Sequence, residues 1–335
     1  MKPLDTIVNA ARANPRRIVM AEGEDARIVK GAVRATRDGL ARITLLGRKE
    51  VVLRLLAEHD ASPADFGIDD PATSPRLDGY AAAFHQLRKG KGIDAVAARR
   101  AMGDPLRYAA MMVRLDDADG TIGGAVATTA DTVRTALQII GPAPGAALVS
   151  SFFLMMLCEP HHAKKGAFAF ADCGLVVEPD AAELAGIAVS TAHSLATLTG
   201  QVPKVAMLSF STNGSAVHQR VEKVVRATEL ARAADPSLAI DGELQFDAAF
   251  VEAINASKAP GSVTKGEANV LVFPNLDAAN IGYKIAQRIG GAKAIGPILQ
   301  GLNKPANDLS RGCSAEDVYD MIAVTSVMAG DLTRQ

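Results

Sequence analysis

Tryptophan is absent from the 335 residues, and all aromatic residues together make up only 4%. With hydrophobic residues at 48%, the interior must be aliphatic, built from Ala, Val, Ile and Leu as in layered α/β proteins. No excess of either charge exists: 36 Lys and Arg face 37 Asp and Glu, for a net charge of −1. A nucleic-acid binder should carry a basic surplus, so that class is set aside. Cysteine is scarce. Cys158, Cys173 and Cys313 lack the paired spacing of a zinc site or a disulfide framework and fit a reducing compartment. The longest apolar run, 146–158, contains two serines and falls short of the ~20 residues that span a bilayer. Met1 to Thr6 has no apolar signal-peptide region, so a cytoplasmic protein without a membrane partner is expected. For the same reason the Asn-x-Ser sequons at Asn213 and Asn255 are expected to stay unglycosylated. No His-Glu-x-x-His and no Gly-x-Ser-x-Gly elbow occurs.

The chain does contain regular alternation. Its length exceeds a typical single core of roughly 100–200 residues, so two domains are expected. Strands are predicted at 17–21, 43–46, 123–128, 147–157, 167–177, 204–210 and 269–273. Helices are predicted at 25–37, 50–58, 81–88, 105–115, 131–140, 181–198, 216–234 and 279–289, with 60–80 a loop. The runs 147–157 and 167–177 flank a polar turn and read as partly antiparallel partners. Elsewhere the βαβα order argues for a mostly parallel sheet in each domain. Gly141-Pro-Ala-Pro-Gly145 is the candidate hinge.

Open parallel sheets bind ligands at the carboxyl ends of their strands. Three polar loops stand there: Ser211-Thr212-Asn-Gly, Pro274-Asn275-Leu-Asp277, and the loop holding Ser310 and Arg311. They are expected to meet in one cleft. Basic residues cluster at Arg88, Lys89, Lys91, Arg99 and Arg100, which suits a small anionic ligand. Other motifs fail. Gly261-Ser-Val-Thr-Lys-Gly266 has Glu267 and Ala268 where a P-loop needs Lys and Ser or Thr. Gly90-Lys-Gly92 follows a helical, basic stretch rather than a buried strand. His161-His162 reads as a turn, not a metal site.

The most informative stretch is Gly301 to Asp317. A loop carries Ser310, Arg311 and Cys313, and a helix begins at Ser314 with Val318, Met321, Ile322, Thr325 and Met328 at helical spacing. A helix N-terminus attracts phosphate, and Arg311 adds a planar donor fork. Asp317 sits in the first turn. Two readings stay open for it: a reactive carboxylate, or the N3 member of a Ser314–Asp317 capping box.

Several long motifs resemble the phosphate acetyltransferase (phosphotransacetylase) family. They include Asp241-Gly-Glu-Leu-Gln245, Ala268-Asn-Val-Leu-Val-Phe-Pro-Asn-Leu-Asp277, Gly296-Pro-Ile-Leu-Gln-Gly301 and Asn307-Asp-Leu-Ser-Arg-Gly-Cys313. Leu87-Arg-Lys-Gly-Lys-Gly92 and Ala127-Thr-Thr-Ala130 extend the likeness toward the amino terminus. The resemblance implies reversible transfer of acetyl between acetyl phosphate and coenzyme A, with coenzyme A a substrate and no cofactor or metal. It implies a homodimer whose two three-layer α/β domains, with mostly parallel sheets, flank a cleft, a fold related to isocitrate and isopropylmalate dehydrogenases. The domains are expected at 1–144 plus 299–335 and at 145–298. By resemblance, Asp317 is the general base, Arg311 holds phosphate, and Ser310 bonds the thiol or oxyanion. Arg88 and Arg134 match coenzyme A-binding arginines, and Cys313 is a site residue but not a nucleophile. Ser211, Thr212, Asn275 and Asp277 are further substrate-binding candidates. Asn213 stands where relatives often carry Lys.

Three alternatives follow from the same features. A phosphate butyryl- or propionyltransferase would differ only in pocket size, where one methylene is worth about 1–3 kcal/mol. A regulatory module binding acetyl-CoA or acetyl phosphate would resemble domains fused to malic enzymes, which lack the full Ser-Arg-Gly-Cys pattern. A dehydrogenase on the related fold would need clustered metal-binding aspartates and a nucleotide site, and neither is visible.

Overall fold

A computed structural model describes residues 3–331. In chain order the strands are β1 (Arg16–Met20), β2 (Ala41–Leu46), β3 (Gly67–Asp69), β4 (Gly120–Gly123), β5 (Ser150–Leu157) and β6 (Gly166–Ala171). They continue with β7 (Lys204–Leu208), β8 (Ala239–Leu244), β9 (Val270–Val272), β10 (Lys293–Gln300) and β11 (Ala306–Asp308). The helices are α1 (Pro3–Ala13), α2 (Ala26–Arg37), α3 (Lys49–Ala57), α4 (Leu77–Arg88), α5 (Ala95–Met102), α6 (Pro105–Arg114) and α7 (Thr129–Ile139). Beyond them lie α8 (Ala181–Thr199), α9 (Gln219–Ala234), α10 (Phe246–Phe250), α11 (Glu252–Lys258), α12 (Leu276–Arg288) and α13 (Ala315–Asp331). No described helix is long and apolar enough to cross a membrane.

The chain divides into two compact units, Ile7–Pro144 with Leu302–Gln335, and Met1–Thr6 with Gly145–Gly301. In the first unit the sheet order is β11-β4-β1-β2-β3, all neighbours parallel. Ile18, Val19 and Met20 are fully buried, and burying such side chains is worth roughly 1.5–3 kcal/mol each. Asp25 caps α2 through the Arg27 N–H, and Ile28, Val29, Ala32 and Val33 bury one face of that helix. α13 packs on α2. Gly31 permits this approach, since a Cβ there would lie 2.6 Å from the Val318 side chain.

In the second unit the order is β10-β5-β6-β9-β7-β8. β10 and β6 flank β5 antiparallel, and β6, β9, β7 and β8 are parallel. The expected antiparallel partners are therefore β5 and β6. Phe153, Met155, Phe168, Phe170 and Leu271 form its core.

Three expectations need correction. The strand expected at 123–128 ends at Gly123, because Gly124 turns the chain at φ 93° and the next N–H groups go to a side chain. Residues 60–80 are not all loop, since they hold the edge strand β3 and the start of α4. The expected return to the first domain at residue 299 falls inside β10, which stays paired to β5 through Gln300↔Ser150.

Candidate functional site

In the first sheet, β2 and β3 extend to one side of β1, while β4 and β11 extend to the other. The order reverses between β1 and β4, and ligands of open parallel sheets bind outside the carboxyl ends at such a reversal. Three segments leave the sheet there: Ala21–Asp25 after β1, Gly124–Thr128 after β4, and Leu309–Ser314 after β11.

The first segment laces the other two together. Glu22 accepts the backbone N–H groups of Ala125 (2.7 Å), Val126 (3.1 Å) and Ala127 (2.7 Å). Arg27 donates from Nη1 to the carbonyl oxygens of Arg311 (2.7 Å) and Cys313 (3.2 Å), and from Nη2 to that of Ala125 (2.8 Å). Nε and Nη2 also donate to Asp25 at 3.0 and 2.7 Å. The Arg27 hydrogen bond is the chief reason the Asp25 carboxyl lies below its usual range.

Held this way, the 310–314 loop turns Ser310, Arg311 and Ser314 outward and Cys313 inward. Ser310 and Arg311 are exposed, and among the described residues the Arg311 guanidinium has no hydrogen-bond or ion-pair partner. The Ser310 hydroxyl accepts the Gly312 N–H at 3.2 Å, and the Ser310 carbonyl accepts the Cys313 N–H at 2.8 Å. Asp317 and Ser314 form the reciprocal box. Asp317 Oδ2 accepts both the N–H and the hydroxyl of Ser314 at 2.8 Å, and the Asp317 N–H donates to Ser314 Oγ at 3.2 Å. The capping role is therefore real, and the other carboxylate oxygen makes none of these bonds.

Cys313 is buried, and burial raises its thiol pKa despite the opposing pull of Arg27. A thiol held neutral is a poor nucleophile. Arg134 lies on α7, exposed and paired with Asp131 at 2.9 Å. Arg88 ends α4, half-buried, with a buried Nε that has no partner. Among the described residues no hydrogen bond joins Arg88 or Arg134 to the 310–317 segment.

The remaining candidates belong to the second unit, at the carboxyl ends of the neighbouring strands β7 and β9. Ser211 is fully buried and donates to Glu243 at 2.7 Å, and Gly214 N–H reaches the same oxygen at 2.8 Å. Thr212 Oγ1 accepts the Gln245 N–H at 2.9 Å. Both hydroxyls thus shape their own loop. Asn275 caps α12 by accepting the Ala278 N–H at 3.0 Å, and Asp277 is exposed in the first turn of that helix. The discarded P-loop look-alike wraps a carboxylate: Ser262 and Thr264 donate to Asp241. His161 and His162 both contact the Gly290 carbonyl, and no group of three or more metal-ligating side chains occurs among the described residues.

Sequence reading missed Glu22, Asp25 and Arg27. Their signal was available: the charged run Glu22-Gly-Glu-Asp-Ala-Arg27 directly follows a buried strand, the place where parallel sheets keep their functional groups.

The fold and this loop define an α/β protein that offers an exposed arginine beside a helix N-terminus. Comparison with known proteins makes the class specific. The family model for phosphate acetyl/butaryl transferase matches residues 3–326. The phosphate acetyltransferase of Paracoccus denitrificans is 54% identical over 98% of this chain and 99% of its own length. That of Acetivibrio thermocellus is 47% identical, with 98% of each chain covered. A phosphotransacetylase structure from Streptococcus pyogenes superposes with a TM-score of 0.91 at 44% identity, covering 98% of this chain and 99% of that one. The chain belongs to the phosphate acetyl/butyryl transferase family.

Proposed function

We infer that this protein transfers an acetyl group reversibly between acetyl phosphate and coenzyme A. The observation that carries the chemistry is Arg311: an exposed guanidinium without a partner among the described residues, on a loop fixed from behind by Arg27. A dianionic leaving group needs such a countercharge, and charge-assisted hydrogen bonds contribute about 1.5–3 kcal/mol each.

The proposed step is direct. The coenzyme A sulfur forms a bond to the acetyl carbon, the bond from that carbon to the bridging oxygen breaks, and inorganic phosphate departs with its electron pair. Arg311 and the α13 N-terminus receive the phosphate charge. The thiol proton goes to the Asp317 carboxylate, whose Oδ2 is oriented by Ser314. Ser310 donates its hydroxyl toward the thiol or the developing oxyanion, while its oxygen accepts from Gly312. The free thiol titrates at about 8.5 by analogy with cysteine, so a base is worth about 10²–10⁴-fold near neutrality. Acetyl phosphate is already activated, and the step as written uses no metal or bound cofactor. Arg88 and Arg134 are proposed to bind the phosphates of coenzyme A.

The resemblance supports two further readings, a homodimer and a cytoplasmic location. Sedimentation at micromolar concentration tests the first, and fractionation tests the second. The activity itself is tested by mixing purified protein with acetyl phosphate and coenzyme A and following thioester absorbance. Acetyl thioester formation is expected, faster than with butyryl phosphate. The absence of thioester with either donor overturns the reading.

A further inference from the structure

Asp308 is the last residue of β11 and stands two residues before Ser310. It is fully buried, and among the described residues neither carboxylate oxygen has a hydrogen-bond partner of good geometry. The Thr129 and Thr132 hydroxyls lie near enough to stabilise its charge without closing such a bond. Both belong to the first turn of α7, the helix that carries Arg134, and a helix N-terminus favours a carboxylate. The opposite neighbour is Gly124, at φ 93°. A Cβ on Gly124 would sit 2.0 Å from Asp308 Oδ1 and under 3 Å from the Leu309 backbone, so a side chain there would displace the carboxylate. The sheet holds this pair in place: Asp308 faces Gly123 across the β4–β11 ladder, and the Leu309 N–H donates to the Gly123 carbonyl at 2.7 Å.

A buried carboxylate without a strong partner is destabilising, and an apolar or amide side chain would suit the position better. Such a group persists where it serves the site at a cost in stability. We propose that Asp308 is a positioning residue for acetyl transfer, a buried brace whose charge fixes the α7 N-terminus, and with it Arg134, against the Ser310–Arg311 loop. The inference rests on the acetyl-transfer reading above.

Glu22, on the turn after β1, opposes the Asp308 charge. On α7, Asp131 and Arg134 are exposed and paired with each other. Burial and the Glu22 charge raise the Asp308 pKa to about 6, so the brace loses its charge as the medium turns mildly acid.

The test compares the full-length wild type with Asp308→Asn and Asp308→Ala. It reads thermal unfolding at pH 8, kcat and KM for coenzyme A from pH 5 to 9, and binding of coenzyme A. The expected result for Asp308→Asn is an unfolding temperature at pH 8 equal to or above that of the wild type. With it should come a kcat/KM lower by about 10- to 100-fold, the range for a misplaced site. The wild-type inflection near pH 6 should vanish in this variant. Asp308→Ala should lose activity as much, and Asp308→Glu should not rescue it, because an added methylene overpacks a fully buried position. Asp308→Asn within twofold of wild-type activity overturns the brace. So does activity that falls only in step with folded fraction, which marks a purely structural residue. Wild-type protein that binds coenzyme A yet turns over no acetyl phosphate fails at the functional reading instead, and the stability comparison still stands apart from it.

Discussion

Arg27 donates to the carbonyl oxygen of Arg311 at 2.7 Å, so one arginine holds the backbone of the other while leaving its guanidinium free. The same side chain reaches the Ala125 and Cys313 carbonyls and pairs with Asp25. Arg27→Ala leaves those carbonyls without their donor and frees the loop. It should lower kcat by about 10- to 100-fold and cost about 1–3 kcal/mol of stability. Arg27→Lys should rescue little, because a point charge cannot serve several carbonyls and a carboxylate in one plane. Steady-state kinetics beside thermal unfolding checks both parts. Full activity in Arg27→Ala would show that the loop holds its shape unaided.

Asp317 has two duties in this structure. Its Oδ2 completes the capping box with Ser314, and its charge lies at the α13 N-terminus. Of the two readings left open by the sequence, the capping box is formed, and the reactive carboxylate is the proposal. Asp317→Asn keeps an acceptor for Ser314 but loses the charge, so stability should fall by about 0.3–1 kcal/mol. The activity loss should be far larger, about 10²–10⁴-fold in kcat, if the carboxylate takes the thiol proton. Chemical denaturation and initial rates on the same preparations separate the two. A variant that loses stability but keeps kcat leaves only the cap.

Two carboxylates make opposite contributions to stability as pH changes. Arg27 lowers the Asp25 pKa, so its contribution is complete above the unfolded value near 4 and is lost as pH falls through the lower folded value. Asp308 is raised to about 6. The folded state therefore holds that proton more tightly than the unfolded chain does. Ionising Asp308 destabilises the protein progressively between about pH 4 and 6, and fully above, by on the order of 2–3 kcal/mol. Melting curves from pH 4 to 8 should show Asp308→Asn above the wild type at pH 8, with the gap closing toward pH 4. A gap that is constant with pH would mean that the Asp308 charge is not its source.

Local periodicity made much of the architecture legible in the sequence. β1, β7 and the helices α2, α8 and α9 stand where apolar spacing placed them, because their burial is set by residues near one another in the chain. The short strands β3, β9 and β11 carry only three residues each, too few for a period to show; β9 alone was marked, by its unbroken apolar run. The segment Gly124–Thr128 looked like a strand for its Val and Ala. Its N–H groups are instead bound by Glu22, about a hundred residues away in sequence. The site divides in the same way. Ser310, Arg311 and Asp317 were visible because a loop and a helix start are local signals. Glu22, Arg27 and Asp308 acquire meaning only when β1, β4 and β11 come side by side, pairings that join residues 102 and 185 apart.

The central claim is that Arg311 receives the departing phosphate. It is tested most directly by thioester formation from acetyl phosphate and coenzyme A with wild type, Arg311→Ala and Arg311→Lys. The account predicts rapid turnover by the wild type, a loss of about 10²–10³-fold in Arg311→Ala, and only partial recovery in Arg311→Lys. Because the Arg311 side chain has no partner among the described residues, all three should melt together. Wild-type-like turnover by Arg311→Ala, with its fold intact, would contradict the account.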